Sequence, residues 1–208
     1  MRDGLYHEGN RYWQDRFDTR RLADRIEERL DHDTIDDDDR AFIERMDMLF
    51  LATADEWGMP QCSYKGGDPG FVTVVDEHTI AFPNYDGNGT YLSMGNLLRN
   101  PQVGILFVDW ERQKRLRLNG IASVDEDDPL LAPYPEAQFV VRVRATHVLP
   151  NCPRYIHRMR LVERSRFVPR VGAETPVPDW KRAAWSRDAL PADDPARRAP
   201  PLEGRSTE

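Results

Sequence analysis

Alternating hydrophobic and polar residues over the middle of the chain predict a series of short β-strands. Residues 48–54 form an apolar run that ends in the turn signal of residues 55–60, Asp-Glu-Trp-Gly-Met-Pro. Further strands are predicted over 61–65, 71–75, 79–83, 103–108, 115–122 and 138–148. Many short strands with tight turns and one inserted helix indicate a mainly β, antiparallel barrel with flanking helices, and not alternating βαβ units.

Residues 1–46 are predicted to form a helical extension before this barrel. Leu22, Ile26 and Leu30 recur at helical spacing between charged residues, so they form a narrow apolar stripe that needs a partner surface. The aspartates of residues 36–39 precede a second short helix that ends near Met46. Aspartates cap free N–H groups and match the positive end of the helix dipole, so we interpret this acidic run as a cap with solvated surface, against metal binding as the alternative.

The barrel is predicted to occupy residues 47–168, with two helices attached to it. One helix covers about 91–99 and ends at Asn100-Pro101. The second lies near 153–160, because Asn151 followed by Pro153 is typical of a helix start. Residues 169–208 form a C-terminal extension that becomes rich in Pro, Ala, Asp and Arg after Trp185, and we expect it to be partly disordered.

Composition and charge exclude several classes of function. The 208 residues contain 29 Lys and Arg against 36 Asp and Glu, a net charge of −7, which argues against nucleic acid as a partner. No apolar run is long enough to span a membrane, and the amino terminus lacks the apolar core of a secretory signal, so a cytoplasmic location is expected. Cys62 and Cys152 are then free thiols, and without CxxC or HExxH motifs no metal site is predicted.

Two polar segments are candidates for chemistry. The loop of residues 84–90, Asn-Tyr-Asp-Gly-Asn-Gly-Thr, joins a strand to a helix and could bind a phosphate through backbone N–H groups; the alternative is an ordinary Asn-Gly turn. Ser63 and Lys65 flank Tyr64 on one strand, and Arg115 and Arg117 alternate on another. These cations either line a groove for an anionic ligand or occupy the solvent face of the sheet.

Four motifs between Phe42 and Val124 resemble the split-barrel flavoproteins related to pyridoxamine 5′-phosphate oxidase. Residues 51–60 resemble the opening LATxDxxGxP hairpin of that family. Residues 80–84 resemble its strand end, residues 93–103 its helix with the exit N-P-x-V, and residues 118–122 its V-x-G-x-A strand. Each motif is weak alone, but the four occur in the family's order and at fitting spacing, over about two-fifths of the chain.

The resemblance implies a six-stranded antiparallel Greek-key split barrel that forms a homodimer with FMN in each of two grooves at the interface. Carried over by position, the implied cofactor-binding residues are Ser63, Tyr64, Lys65, Phe82, Pro83, Asn84, Asn88, Thr90, Ser93 and Arg115. Of these, Asn88, Thr90 and Ser93 are implied to lie near the phosphate. No side chain is an obvious catalytic acid or base.

The implied function is that of an FMN-dependent oxidoreductase, with hydride or electrons passing through flavin N5 and NAD(P)H as a possible reductant. The alternatives are a non-catalytic flavin-binding or redox-sensing protein, or the same barrel with deazaflavin or haem. The family's carboxy-terminal Arg-Leu-His type of motif is absent, so pyridoxamine phosphate is not the expected substrate. Cys152 is a further candidate, since a thiol at a helix start can have a depressed pKa; the alternative is an ordinary, small, half-buried residue beside a helix cap. Cys62 is expected in the core.

Overall fold

A computed structural model describes residues 4–202, which divide into two compact units at residue 162. The first unit contains one antiparallel sheet of seven strands, and the fold is mainly β, as the sequence pattern predicts. The strands are β1 (Met48–Ala54), β2 (Pro60–Gly66), β3 (Thr73–Asp76), β4 (Thr79–Tyr85), β5 (Gln102–Asp109), β6 (Lys114–Asp125) and β7 (Ala137–Pro150). Their spatial order is β2-β1-β5-β6-β7-β4-β3.

The split-barrel fold is therefore confirmed, but the strand number implied by the resemblance is corrected from six to seven. All seven segments that the hydrophobic pattern predicts are strands. The shortest, β3, pairs only with β4 and forms one edge of the sheet, while β2 forms the other edge. Alternate residues of the strands, such as Leu49, Ile105 and Leu118, point to one side and form a continuous apolar core.

Helices of the first unit flank this sheet. They are α1 (Glu8–Arg16), α2 (Arg20–Leu30), α3 (Asp37–Arg45) and α4 (Leu92–Arg99). Asp36 caps α3 by accepting a hydrogen bond from the backbone N–H of Asp39, which confirms the capping role predicted for the acidic run. The predicted apolar stripe of α2 is covered only in part, because Leu22 is 59% exposed and Ala23 is the residue that is buried.

The helix predicted near 153–160 is absent. Residues 151–162 form a turn and irregular chain, and Tyr155 has a positive φ of 73°, which an α-helix does not allow. Ile156 is the buried hydrophobic residue of this segment. The segment therefore lacks the repeated apolar contacts that would hold a helix against the sheet. Among residues 4–202, no helix is both long enough and apolar enough to cross a bilayer.

Residues 163–202 form the second unit, where the sequence leads us to expect partial disorder. Two short helices, α5 (Asp179–Arg182) and α6 (Ala184–Arg187), are present. The rings of Trp180 and Trp185 stack with centroids 6.2 Å apart, and the Lys181 ammonium forms a 2.7 Å ion pair with Asp194. This unit buries Leu190 and Ala196, and ion pairs add contacts that hydrophobic patterning does not reveal. Residues 203–208 of the predicted extension lie outside the described chain.

Candidate functional site

A cleft of about 220 Å³ lies between β2, the end of β4 and the start of α4. It brings together six of the ten residues that the sequence assigns to cofactor binding, although they come from three separate segments. These six are Ser63, Lys65, Asn84, Asn88, Thr90 and Ser93. The cleft is smaller than the roughly 300–1,000 Å³ usual for sites that enclose a whole ligand of drug size. It therefore suits one polar group of a larger molecule.

The edge strand β2 places two of these side chains on the inner face of the sheet. Ser63 pairs with Leu51 and Lys65 pairs with Leu49, and both leucines are fully buried in the core. Opposed residues of antiparallel strands point to the same face. Ser63 Oγ lies 3.0 Å from Ser93 Oγ at the start of α4. Two hydroxyl groups have two protons and this contact uses one, so the pair retains a proton to donate into the cleft.

Lys65 is the cation of the cleft. Within residues 4–202 its ammonium group has no ion-pair partner. Burial lowers the pKa of Lys65 below the usual lysine value, since desolvation disfavours the charged form. A half-buried ammonium group without a counter-ion is stabilised by any anion that enters the cleft.

The first turn of α4 adds backbone donors to the cleft. Tyr91 is the N-cap residue in a left-handed conformation, with φ of 47°, and no side chain caps the helix. The first N–H groups of a helix have no partners within it, and they favour negative charge. A left-handed non-glycine residue is strained by roughly 1–3 kcal/mol, so surrounding contacts must hold it in place.

A short chain of hydrogen bonds provides that hold. Gln138 on β7 donates from Nε2 to the Tyr91 hydroxyl over 2.9 Å and accepts from Asn84 Nδ2 over 3.0 Å. The second Asn84 donor contact is to the Tyr85 carbonyl at 3.3 Å. Both amide protons of Asn84 are therefore engaged within the protein. Asn84 shapes the cleft, but it has no free proton to donate to a ligand.

Asn88 and Thr90 form a local turn at the mouth of the cleft. The Asn88 Oδ1 atom accepts from the Thr90 backbone N–H at 3.1 Å and from its hydroxyl at 2.6 Å. This is the ordinary loop contact that the sequence left open as the alternative to phosphate binding. The Thr90 hydroxyl would have to exchange this bond to donate to a ligand, whereas the remaining amide protons of Asn88 stay available.

The other four predicted residues do not line the cleft. Phe82 is fully buried in the core, and Pro83 is buried where β4 pairs with β7. Tyr64 alternates with Ser63 and Lys65, so it lies on the outer face of β2, where its ring meets Phe50 edge-on. Arg115 alternates with the core residue Leu116 and is likewise outside the core. Successive side chains of a strand point to opposite faces of the sheet, so Tyr64 and Arg115 lie on the face opposite to their neighbours Lys65 and Leu116.

The two cysteines also differ from expectation. Cys62 is exposed and not in the core, because its pairing with Ala52 turns it to the outer face of the edge strand β2. Cys152 is exposed without any helix behind it. Arg154 Nε donates to its Sγ over 3.0 Å, and this hydrogen bond lowers the pKa of the thiol below its usual value. The thiol pKa is lowered by the guanidinium and not by a helix dipole.

Sequence reasoning missed Gln138 and Tyr91, which hold the cleft, and Gln61 and Leu92, which line it. Neither the position of Gln138 in a predicted strand nor its residue type indicates a contact 47 residues away with Tyr91. Within residues 4–202, one group could offer ligand atoms to a metal ion: His32, Asp36 and Asp39, whose donor atoms lie within 4.8 Å of one another. Asp36 already caps α3, and exposed acidic groups of this kind are common without an ion.

Comparison with known proteins identifies relatives of this fold. A profile of pyridoxamine 5′-phosphate oxidase matches residues 35–165, more than half of the chain. A candidate pyridoxamine 5′-phosphate oxidase from Lactobacillus delbrueckii is 25% identical over 57% of this chain and 95% of its own, with a TM-score of 0.45. HutZ, the haem storage protein from Vibrio cholerae, is 20% identical over 54% and 90%, with a TM-score of 0.39. An FMN-binding protein from Syntrophomonas wolfei is 13% identical over 67% and 97%, with a TM-score of 0.43. The sequence matches no curated protein.

Proposed function

Since the chain belongs to the pyridoxamine 5′-phosphate oxidase family, we propose that it is a flavoprotein that binds FMN and acts as an oxidoreductase. The observation that carries the proposal is the half-buried Lys65 without an ion-pair partner in the described chain, in a cleft with the Ser63–Ser93 pair and the uncapped start of α4. A cation, a hydroxyl proton and free backbone N–H groups are the donors that a phosphate monoester accepts from.

The size of the cleft determines which part of FMN it would hold. A volume of about 220 Å³ accommodates the phosphate and the adjoining part of the ribityl chain. The ring system would then lie outside the cleft, along the exposed edge strand β2. Bound FMN supplies hydride and electron transfer, and the protein supplies orientation and polarity.

A homodimer is the second element of the proposal. Arg115 and Tyr64 lie on the opposite side of the sheet from Lys65, so one chain does not bring all predicted contacts to one ligand. A second copy would allow the outer face of one chain to meet the flavin held by the other. Arg115 Nε is buried without a hydrogen-bond partner among the described residues. The flavin held by a second copy of the chain would supply the missing acceptor.

The substrate is proposed to differ from pyridoxamine phosphate, with NAD(P)H as a candidate reductant. Lys65 is the one cation among the described residues that line the cleft, so the cleft itself offers no second cluster of positive charge for another phosphorylated substrate. The cleft-lining residues offer no histidine or carboxylate for proton transfer. The chemistry would then depend on the cofactor and on access to it.

The deciding experiment is to denature the purified protein and identify the released molecule by mass spectrometry, followed by titration of the emptied protein with FMN. We expect release of FMN and saturable rebinding at one FMN per chain. Release of haem or of a deazaflavin would show that this molecule, and not FMN, is the cofactor. Bleaching of the bound flavin by NAD(P)H would support the enzyme over a non-catalytic sensor. A protein that is isolated colourless and fails to bind added FMN would contradict the proposal altogether.

A further inference from the structure

A histidine and two aspartates meet where the linker between α2 and α3 passes β7. His32 lies in that linker, Asp36 is the N-cap residue of α3, and Asp39 belongs to the first turn of this helix. One nitrogen or carboxylate oxygen of each residue lies within 4.8 Å of the others. The side chain of Asp39 is only 14% exposed. This burial distinguishes the cluster from acidic groups on an open surface.

The main chain fixes the position of His32. Its backbone N–H donates to the Val148 carbonyl at 3.2 Å, and its carbonyl accepts from the Val148 N–H at 2.6 Å. These two bonds join the linker to β7, on the side of that strand away from β6. Three residues further along, Ile35 is buried, and its N–H donates to the Glu77 carbonyl at 2.6 Å. The sheet therefore determines where the imidazole lies.

A backbone carbonyl determines which ring nitrogen of His32 is left for a ligand. Nδ1 lies 2.5 Å from the Thr34 carbonyl oxygen, and this oxygen can only accept, so Nδ1 carries a proton. In a neutral imidazole, Nε2 then has no proton and presents a lone pair. Histidines that bind metal ions usually donate from their other ring nitrogen in the same way. The imidazole of His32 thus has the tautomer and the support of a metal ligand.

Two hydrogen-bond acceptors face each other at the centre of the cluster. His32 Nε2 lies 3.6 Å from Asp39 Oδ2, and that oxygen is buried without a hydrogen-bond partner among the described residues. A buried carboxylate oxygen without a donor is costly. Even if Nε2 carried a proton, the separation would exceed the roughly 2.7–3.2 Å of an N–H···O bond. Two ligand atoms that are each about 2.0–2.1 Å from one tetrahedral zinc ion lie about 3.3 Å apart, so the gap is close to the size that a metal ion requires.

Asp36 can supply a third ligand atom and still cap α3. Its Oδ1 atom accepts from the Asp39 backbone N–H at 2.8 Å, which leaves the second carboxylate oxygen for an ion. Asp36 is exposed, so an ion bound there would remain in contact with solvent and could keep water as its fourth ligand. The capping role of Asp36 and a role in metal binding are therefore compatible.

The charge around the cluster favours a cation. Residues 36–39 are four consecutive aspartates, and none of them pairs with a lysine or an arginine within residues 4–202. The next residue, Arg40, pairs instead with Glu44, and it donates to the Val74 carbonyl at 2.7 Å. The start of a helix carries only about half a positive charge, which four carboxylates outweigh.

We propose that His32, Asp36 and Asp39 form a binding site for a divalent transition-metal ion such as Zn²⁺. One imidazole and two carboxylates suit zinc better than Mg²⁺ or Ca²⁺, which prefer oxygen ligands alone. The ion would join the start of α3 to the linker that is bridged to β7, so its binding would stabilise the fold. None of the three residues lines the flavin cleft, so the proposal does not depend on FMN binding.

The test is calorimetric titration of the metal-free full chain, without an affinity tag, with zinc chloride and, separately, with magnesium chloride. Both exposed cysteines are first replaced by serine, because thiolates also bind zinc. We expect one Zn²⁺ per chain with a Kd of about 10 μM or tighter, no binding of Mg²⁺ at the same concentrations, and a higher melting temperature in zinc. The absence of saturable zinc binding, as expected if a proton joins His32 to Asp39 instead, would overturn the proposal. Equal affinity for Mg²⁺ would overturn it as well.

Matched pairs of variants assign the bound ion to this cluster. Asp39→Asn and His32→Gln should each lower the zinc affinity by about tenfold or more, because each removes one ligand. Asp38→Asn and His157→Gln are the controls, since both residues are exposed and neither belongs to the cluster. The controls should retain the affinity of the unchanged chain. An equal loss in a control and in its partner variant would refute the assignment.

Asp36→Ser separates metal binding from helix capping. Serine is as good an N-cap residue as aspartate, so the melting temperature of the metal-free variant should stay close to that of the unchanged chain. Its zinc affinity should fall by about tenfold or more, since the hydroxyl replaces a carboxylate ligand. Unchanged zinc affinity in this variant would show that Asp36 only caps α3, and the three-residue site would be refuted. If His32→Gln does not fold, Asp36→Ser and Asp39→Asn decide the question.

Discussion

Replacing Lys65 by Met should separate the role of its charge from that of its shape. Methionine has a similar length and no branch, so the substitution retains most of the packing of the side chain in the cleft. A hydrogen bond to a charged group contributes about 1.5–3 kcal/mol, which corresponds to a roughly ten- to hundredfold loss of FMN affinity. An exposed ion pair would give only about 0–1 kcal/mol, but Lys65 is half-buried.

The assay is titration of the emptied protein with FMN and, in parallel, with riboflavin, followed by flavin fluorescence. Because riboflavin lacks the phosphate, the Lys65→Met variant should bind it as the unchanged protein does. Lys114→Met is the control, since Lys114 is exposed at the start of β6 and does not line the cleft. Unchanged FMN affinity, or an equal loss for FMN and riboflavin, would refute the placement of the phosphate beside Lys65.

The same variant predicts a change in stability of the emptied protein. The pKa of Lys65 is lowered by burial, so the folded chain is destabilised while this lysine is charged in both states. That penalty is fully present below the folded pKa and disappears as the pH rises from the folded pKa toward the ordinary lysine value of about 10.4. Lys65→Met should therefore raise the melting temperature at pH 7, and the gain should shrink in alkaline buffer. A lower melting temperature at pH 7 would contradict this reasoning.

Three other predictions use thermal unfolding or thiol labelling. Gly120→Ala should destabilise the fold by about 1–3 kcal/mol, because the added Cβ would overlap the Arg144 carbonyl. Gly95→Ala in α4, whose added Cβ meets nothing within 4 Å, should instead stabilise the fold by about 0.5–1 kcal/mol. The reverse order of stabilities would be inconsistent with the register of β6 and β7. Asp128→Asn should cost about 1.5–3 kcal/mol at pH 7 by weakening the pair with Arg142 at 2.5 Å. The hydrogen bond from Arg142 lowers the pKa of Asp128, so its contribution to the free energy of unfolding is present above about pH 4 and is lost as the pH falls. If the stability of the Asp128→Asn variant depended on acid pH as that of the unchanged protein does, this reasoning would be disproved. Arg154→Ala should slow the alkylation of Cys152 by iodoacetamide at pH 7.5 while labelling of Cys62 stays constant, measured by mass spectrometry; equal rates at Cys152 would exclude thiolate stabilisation by Arg154.

Local pattern was sufficient for most of the secondary structure. The alternation along 115–122 and 138–148 predicts β6 and β7, and Asn100-Pro101 predicts the end of α4 at Arg99. The predicted helix near 153–160 was wrong because a start signal alone does not make a helix. Asn151 and Pro153 satisfy the signal, but the apolar residues that follow, such as Tyr155, Met159 and Val162, are exposed, so no buried face holds a helix in place.

The candidate site was predictable only in part, for a similar reason. The family motifs give the sequence positions that approach a cofactor, and six of them meet in one cleft. They do not show that the amide protons of Asn84 are already engaged by Gln138 and the Tyr85 carbonyl, or that Thr90 donates to Asn88. Such contacts depend on how β7 pairs with β4, and sequence spacing carries no information on that pairing.

The sequence by itself determined the strands, most of the helices and the family, because each follows from residues that are neighbours along the chain. Only the tertiary structure decided which strands are adjacent and hence which side chains share a face. Pairing of β2 with β1 turns Lys65 toward the cleft and Tyr64 away from it. The shifted register of β6 and β7 sets His147 beside Asn119, and packing of the N-terminal extension brings Asp31 behind it. Proximity between residues 116 positions apart is a property of the folded chain, since only burial of the common core brings them together.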